Sequence, residues 1–243
     1  MSRPRQSRKT FKISDYLNRQ LNTYAQVASA AGVSLLALAG ASEATVVYTE
    51  TNQATQAGVP LYIDLNHDGI KDFLLRTTFY IGTGGTDLGL SAEGYQNANN
   101  RVAGRRLRTS GGYFLSAASA LRSGARIGPK RNFSATFPFM AEELFKRVGD
   151  QYSDLGAWDG KGKGVKDRYL GLKFVIGNEV HYGWARLTVT LGHQRQYDDV
   201  SGTLTGYAYE TVPDKPIIAG QTTGQDVIKL QPGTLGGLAL GGK

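Results

Sequence analysis

Leu170, Leu172, Phe174 and Ile176 alternate with Tyr169, Gly171, Lys173 and Val175, and this period of two predicts a strand with one apolar face. Gly177–Asn178 follows, a pair suited to a tight hairpin turn, and Val180 opens the return strand, which runs to Leu191. A third strand is expected over Thr203–Glu210, after a turn region at Tyr197–Ser201. Pro213 and Pro216 then end regular pairing. Upstream, Leu61–Leu65 and Phe73–Ile81 read as strands on either side of a polar loop. Gly82–Gly112 has little periodicity and is expected to be irregular or weakly stranded. Met140, Leu144, Phe145 and Val148 share a helical face, so Phe137–Val148 is predicted as the one inserted helix, stopped by Gly149. Trp158–Gly164 reads as a flexible loop without the spacing of a phosphate-binding loop. There is no internal repeat. The sum is an all-β, mainly antiparallel β-sandwich with one short inserted helix.

The first 44 residues obey a different pattern. A basic leader precedes the uncharged stretch Val27–Ser42, whose apolar part is shorter than the ~20 residues a membrane-spanning helix needs. Ser42-Glu43-Ala44 sets small residues at the positions a signal peptidase reads, and β-type residues begin at Thr45. Residues 1–44 are therefore expected to be a helical signal segment, cleaved after Ala44. Residues 45–222 then form a single sandwich domain and 223–243 a flexible C-terminal tail. The implied location is secreted or at the cell surface, with membrane contact only through the signal segment.

Composition supports strands and turns over packed helices: 32 glycines and 13 tyrosines stand against two methionines. With no cysteine, neither disulfides nor thiolate metal sites can hold the fold, which leaves an oxygen-ligated metal as a brace. The net charge of +8 is split evenly, because residues 1–44 carry six basic and two acidic groups and the rest 22 and 18. A body so weakly basic argues against nucleic acid as a partner. Its densest basic run, Arg101–Arg108, is most simply a solvated loop.

The polar loop DLNHDGIKDF, from Asp64 to Phe73, carries the clearest chemistry. Calcium takes about six to eight hard oxygen ligands and tolerates irregular geometry. Asp64, Asn66 and Asp68 occupy alternate positions whose side chains can converge, and Gly69 allows a sharp turn. Ile70 would offer its carbonyl, and Asp72 would close the ring directly or through water. An EF-hand would also need Glu where Leu75 stands, so the match is to a loop joining two strands. His67 falls at a non-ligand position and is expected to point outward. The cofactor expected is a structural calcium ion.

No nucleophile elbow, metalloprotease helix or Cys–His pair is present. Glu142 and Glu143 are neighbours, which on a helix point about 100° apart and cannot flank one glycosidic bond. His181 on a strand is expected to be a packing residue. Tyr182, Trp184, Tyr207 and Tyr209 lie on strands expected to be adjacent, and flat rings on a sheet face can stack on sugars.

The blocks RYLGLKF, HYGWARLTVT and GTLTGYAYET, with the VVYT start at Val46 and the DLNHDGIKDF loop, resemble a group of bacterial exported proteins of unknown function. These are similar in pattern to proteins carrying PEP-CTERM sorting tails. The likeness runs from Tyr24 to Thr222 and implies location, not activity. The end of the chain, LQPGTLGGLALGGK, departs from a full sorting tail: it has no spanning segment and only Lys243 for a basic cluster. The expectation is an exported, non-catalytic surface or extracellular-matrix protein with a calcium-stabilised sandwich, its partners extracellular polysaccharide or cell-surface components. The alternatives are a carbohydrate-binding module using Tyr and Trp rings and, behind it, a secreted hydrolase.

Overall fold

Period-two alternation becomes pairing in the computed structural model, which describes residues 45–82, 85–108, 114–133, 138–146, 151–192, 199–223 and 227–230. The signal segment expected over residues 1–44 lies outside the described residues. In chain order the strands open with β1 Val46–Ala54, β2 Leu61–Ile63, β3 Phe73–Gly82, β4 Gly85–Gly94 and β5 Arg101–Val102. Next come β6 Gly104–Arg108, β7 Phe114–Ala118, β8 Arg126–Ile127, β9 Phe139–Lys146 and β10 Gln151–Leu155. The last five are β11 Val165–Ile176, β12 Glu179–Gly192, β13 Asp199–Glu210, β14 Ile217–Ile218 and β15 Val227–Leu230. Two large sheets result, ordered β15-β1-β13-β12-β11-β5 and β2-β3-β4-β9-β7-β6, with β10 on β9 and a separate β8–β14 ribbon. Pairing is antiparallel except for β1 with β15 and β7 with β9.

The two large sheets share one apolar core, as a sandwich does. Leu170, Leu172, Leu187, Val189 and Leu204 from one sheet join Phe73, Leu75, Leu88, Leu90 and Met140 from the other. A second apolar cluster lies on the opposite face of the six-stranded sheet. There Tyr48, Tyr169, Tyr182 and Trp184 pack with Ile127 of β8 and Ile217 of β14. The middle of the six-stranded sheet is thus covered on both faces, by the second large sheet and by the ribbon, while the far half of β1 stays largely exposed.

The expected hairpin is present in register. Ile176 pairs with Glu179 and Phe174 with His181 around a turn in which Gly177 takes φ +61°.

The predicted helix is corrected: Phe139–Lys146 is strand β9, and the described residues contain no helix. Met140 and Leu144 are four positions apart, so they share a face under both the helical and the strand period. Periodicity therefore cannot decide. Pairing does, because β9 is held between β4 on one side and β10 on the other, and this tertiary context overrides the helix propensity of its Met, Ala, Glu and Leu residues. The region from Gly82 onward is also more ordered than expected. In β4, Leu88, Leu90 and Ala92 alternate into the core while glycines and polar residues fill the other positions. Trp158, expected in a flexible loop, is fully buried in the core. Part of the expected flexible tail is β15, which pairs parallel with β1 and ties Lys229 to Glu50 at 3.0 Å.

Candidate functional site

The acidic loop connects β2 to β3, and Asp72 N–H donating to the Ile63 carbonyl at 2.9 Å closes its base. Inside, short side chains turn the backbone, as Asn and Asp do in polar turns. Asp64 Oδ2 accepts from Gly69 N–H at 3.0 Å, and Asp68 Oδ1 accepts from Ile70 N–H at 2.8 Å. Asp68 Oδ2 accepts from the Asn66 amide at 2.9 Å, and Asp72 Oδ2 from Leu65 N–H at 2.8 Å. Gly69 sits at φ +88° and His67 at φ +62°, the first easily and the second at some cost for a residue with a Cβ.

Two oxygens of this loop, Asp64 Oδ1 and Asn66 Oδ1, are buried without a hydrogen-bond partner. Buried polar atoms are nearly always paired, so these two mark where something that accepts lone pairs would sit. Asp72 is almost fully buried, and burial raises its pKa to about 7; the Leu65 N–H opposes the shift, while the Asp68 and Asp64 charges add to it. Lys71 Nζ stands 3.6 Å from Asp64 Oδ2, half in solvent. Among the described residues no three His, Asp or Glu side chains converge as a metal-holding group. A cation here would need the Asn66 amide oxygen and the Ile70 carbonyl beside the carboxylates. The residues fit a hard, oxygen-seeking cation on the strength of the two orphaned oxygens.

His67 is exposed, as expected of an outward residue, yet its ring is held on one side. Its Nε2 lies 2.7 Å from Thr49 Oγ1 on β1, and its ring stacks on Tyr207 of β13 at 5.8 Å and 28°. The loop of one sheet is thereby fastened to the other sheet, while part of the imidazole stays in solvent. Burial lowers the His67 pKa against the pull of Asp64. Tyr207 below it is pushed up to about 12, chiefly by burial and further by Asp64, with a hydrogen bond to Thr49 opposing.

The four candidate stacking residues do not form one platform. Trp184 pairs with Ala208, and Gly183 with Tyr209, so Tyr182 and Trp184 face the ribbon while Tyr207 and Tyr209 face the core. Trp184 is fully buried, and Tyr182 and Tyr209 are 4% and 7% exposed. Tyr169 meets the Trp184 ring edge-on at 5.2 Å, and Tyr209 meets Phe174 edge-on at 5.6 Å. These are packing geometries: the Trp184, Tyr182 and Tyr209 rings are closed to a sugar, and Tyr207, partly buried, is covered on one side by His67. Alternation predicted two faces for these strands; only the register showed that both are covered.

His181 is buried, with Nδ1 3.0 Å from the Glu210 carbonyl, a packing residue as expected. Glu142 lies on strand β9, half-buried. The carboxylate near Glu142 is Asp87 of β4, a pairing that sequence reasoning missed because 55 positions separate the two. Burial raises the pKa of both, and the Asp87 charge adds to the rise at Glu142. Two surface hollows, of about 320 and 420 Å³, have no carboxylate in their walls. No known protein family matches the chain, and neither a curated protein nor a solved structure gives a significant match.

Proposed function

We propose that the chain is an exported, non-catalytic surface or matrix protein whose β-sandwich is braced by calcium in the Asp64–Asp72 loop. The observation that carries the metal is the pair of buried, unpartnered oxygens on Asp64 and Asn66. Asp64, Asn66, Asp68 and Asp72 would hold the ion by side-chain oxygens and Ile70 by its carbonyl. The ion supplies charge neutralisation and no reaction chemistry. Its role is mechanical: the loop joins β2 to β3 in one sheet and grips β1 and β13 of the other through His67. Export rests on the basic leader, the short apolar core and the small residues ahead of Thr45.

A thermal melt in calcium and in chelator tests the brace. A ligand that binds only the folded state stabilises it by mass action, about 2.7 kcal/mol at one hundred times its dissociation constant. Asp68→Ala should remove most of that gain and Asp68→Asn less, since an amide oxygen still coordinates. A wild-type melting temperature indifferent to calcium reduces the loop to a polar turn. Sequencing the N-terminus of material recovered outside the cytoplasm of a Gram-negative host tests export, with Thr45 expected first.

A further inference from the structure

Between Glu93 and Glu142 the chain carries eight basic residues and no acidic one, a concentration equal to the net charge of the whole protein, +8. The fold carries the described part of this stretch along the edges of the sheets and the turns between them. β5 is the edge of the six-stranded sheet and β6 the edge of the other, and Ala103 alone separates them, so the chain crosses between sheets here. Arg101 pairs with Lys173 of β11. Gly104 N–H donates to the Asn132 carbonyl at 3.0 Å, which sets the residue after Arg131 beside the start of β6, and Leu121, the residue before Arg122, exchanges backbone hydrogen bonds with Tyr169 of β11. Arg131 is used structurally: its guanidinium donates to the Arg126 carbonyl at 2.8 and 3.1 Å and fixes that turn. Arg105, Arg122, Arg126 and Lys130 are exposed, and none forms an ion pair among the described residues. The neighbouring β11 adds Lys166 and Arg168 against a single carboxylate, Asp167.

We propose that this arginine-rich rim binds a carboxylate-bearing acidic polysaccharide, seated on Arg105, Arg122, Arg126 and Lys130. The proposal rests on the exported, matrix reading above and names its partner. Three observations choose the ligand. Arginine outnumbers lysine seven to one across the stretch, and the guanidinium fork matches a carboxylate with two hydrogen bonds. The charges are spread along the chain over edges and turns among Gly, Ser and Ala and are not packed into one run, the arrangement a duplex with a charge every ~1.7 Å would favour. The large apolar side chains exposed among the described residues, Val59, Tyr62, Ile70, Phe79 and Val212, lie elsewhere, so the described residues of the rim offer neither an exposed ring for base stacking nor a wedge for a bilayer.

The test is fluorescence anisotropy with a labelled oligogalacturonate at low salt, using the chain as the exporting host processes it. Neutral dextran and a short DNA duplex serve as parallel competitors. Salt-sensitive binding is expected, displaced by unlabelled oligogalacturonate, unaffected by dextran, and displaced less well by the duplex. An exposed charge pair is worth a factor of roughly 1.5–5, so Arg105→Gln/Arg122→Gln/Arg126→Gln/Lys130→Gln should weaken binding roughly 10- to 100-fold. Arg122→Gln/Lys130→Gln should give an intermediate loss and guards against a misfolded quadruple variant. Binding should persist in chelator, which separates the rim from the calcium loop. A protein that shows no calcium response but binds oligogalacturonate through the rim would sink the brace and keep this proposal. No binding, binding indifferent to both rim variants, or preference for the duplex would overturn it.

Discussion

Replacing His67 by Ala removes a fastener between the two sheets, and its cost follows from the contacts it makes. The imidazole–Thr49 hydrogen bond, at 2.7 Å, is worth about 1 kcal/mol net. Stacking on Tyr207 at 5.8 Å adds up to about 1 kcal/mol, reduced because part of the ring is in solvent. Thr49 keeps a partner in Tyr207, so no buried hydroxyl is orphaned and no larger penalty applies. The sum is about 1–2 kcal/mol, roughly 2–8 °C in melting temperature for a domain of this size. Urea and thermal melts of wild type, His67→Ala, Thr49→Val and the double variant measure it, and the cycle isolates the coupling, expected at about 0.5–1 kcal/mol. The same series in calcium and chelator separates fastener from ligand. His67→Ala should lower both curves equally, whereas Asp68→Ala should lower mainly the calcium one. A neutral His67→Ala, or a coupling near zero, refutes the fastening.

Trp158→Ala should cost about 3–5 kcal/mol as a core cavity, whereas Trp158→Phe should cost clearly less, because it discards a buried indole N–H that has no partner; urea midpoints of the two variants decide it. Gly177→Val should cost about 1–3 kcal/mol from backbone strain alone, since φ is +61° and a Cβ there meets nothing within 4 Å; Gly177→Asn should cost less in the same melts. Glu142 has a folded-state pKa raised above the ordinary value, so its contribution is fully present below pH ~4 and is lost as pH rises through the raised pKa. Glu142→Gln should therefore be more stable than wild type near neutral pH, by a few tenths of a kcal/mol after allowance for its partial exposure, with the gain vanishing in melts near pH 4.

How far each element was legible follows from how local its cause is. The β11–β12 hairpin was readable because alternation and a Gly–Asn turn both lie within one stretch. The β9 strand was not, because residues four apart satisfy two periods and the deciding partners, β4 and β10, are set by pairing across turns. β15 is four residues of parallel edge pairing, too short to leave a pattern. The acidic loop was visible as a ligand series, since every member lies within nine residues. Its anchorage was invisible: His67 reaches Thr49 18 positions back and Tyr207 far downstream. The aromatic residues were correctly placed on neighbouring strands, but accessibility depends on what covers a sheet, and no local signal in Arg126–Ile127 or Ile217–Ile218 announces a cover.

That cover changes where a partner can be sought. Where both faces of the sheet are covered, Trp184, Tyr48, Tyr169, Tyr182 and Tyr209 are spent on packing, which leaves rims, turns and the outer face of the second sheet for recognition. Rims are also where an exposed strand edge invites unwanted pairing, and charged side chains there suppress it. Exposed Arg105 on the β6 edge suits that defensive role whether or not it binds anything. Arg122, Arg126 and Lys130 do not share it. Arg122 and Lys130 stand outside any strand and Arg126 belongs to a two-stranded ribbon, so protecting a long edge does not account for their lack of nearby carboxylates. The distinction gives the rim variants their force, because protection of an edge predicts aggregation when Arg105 is lost, and recognition predicts loss of binding when Arg122 and Lys130 are lost from a protein that stays monomeric.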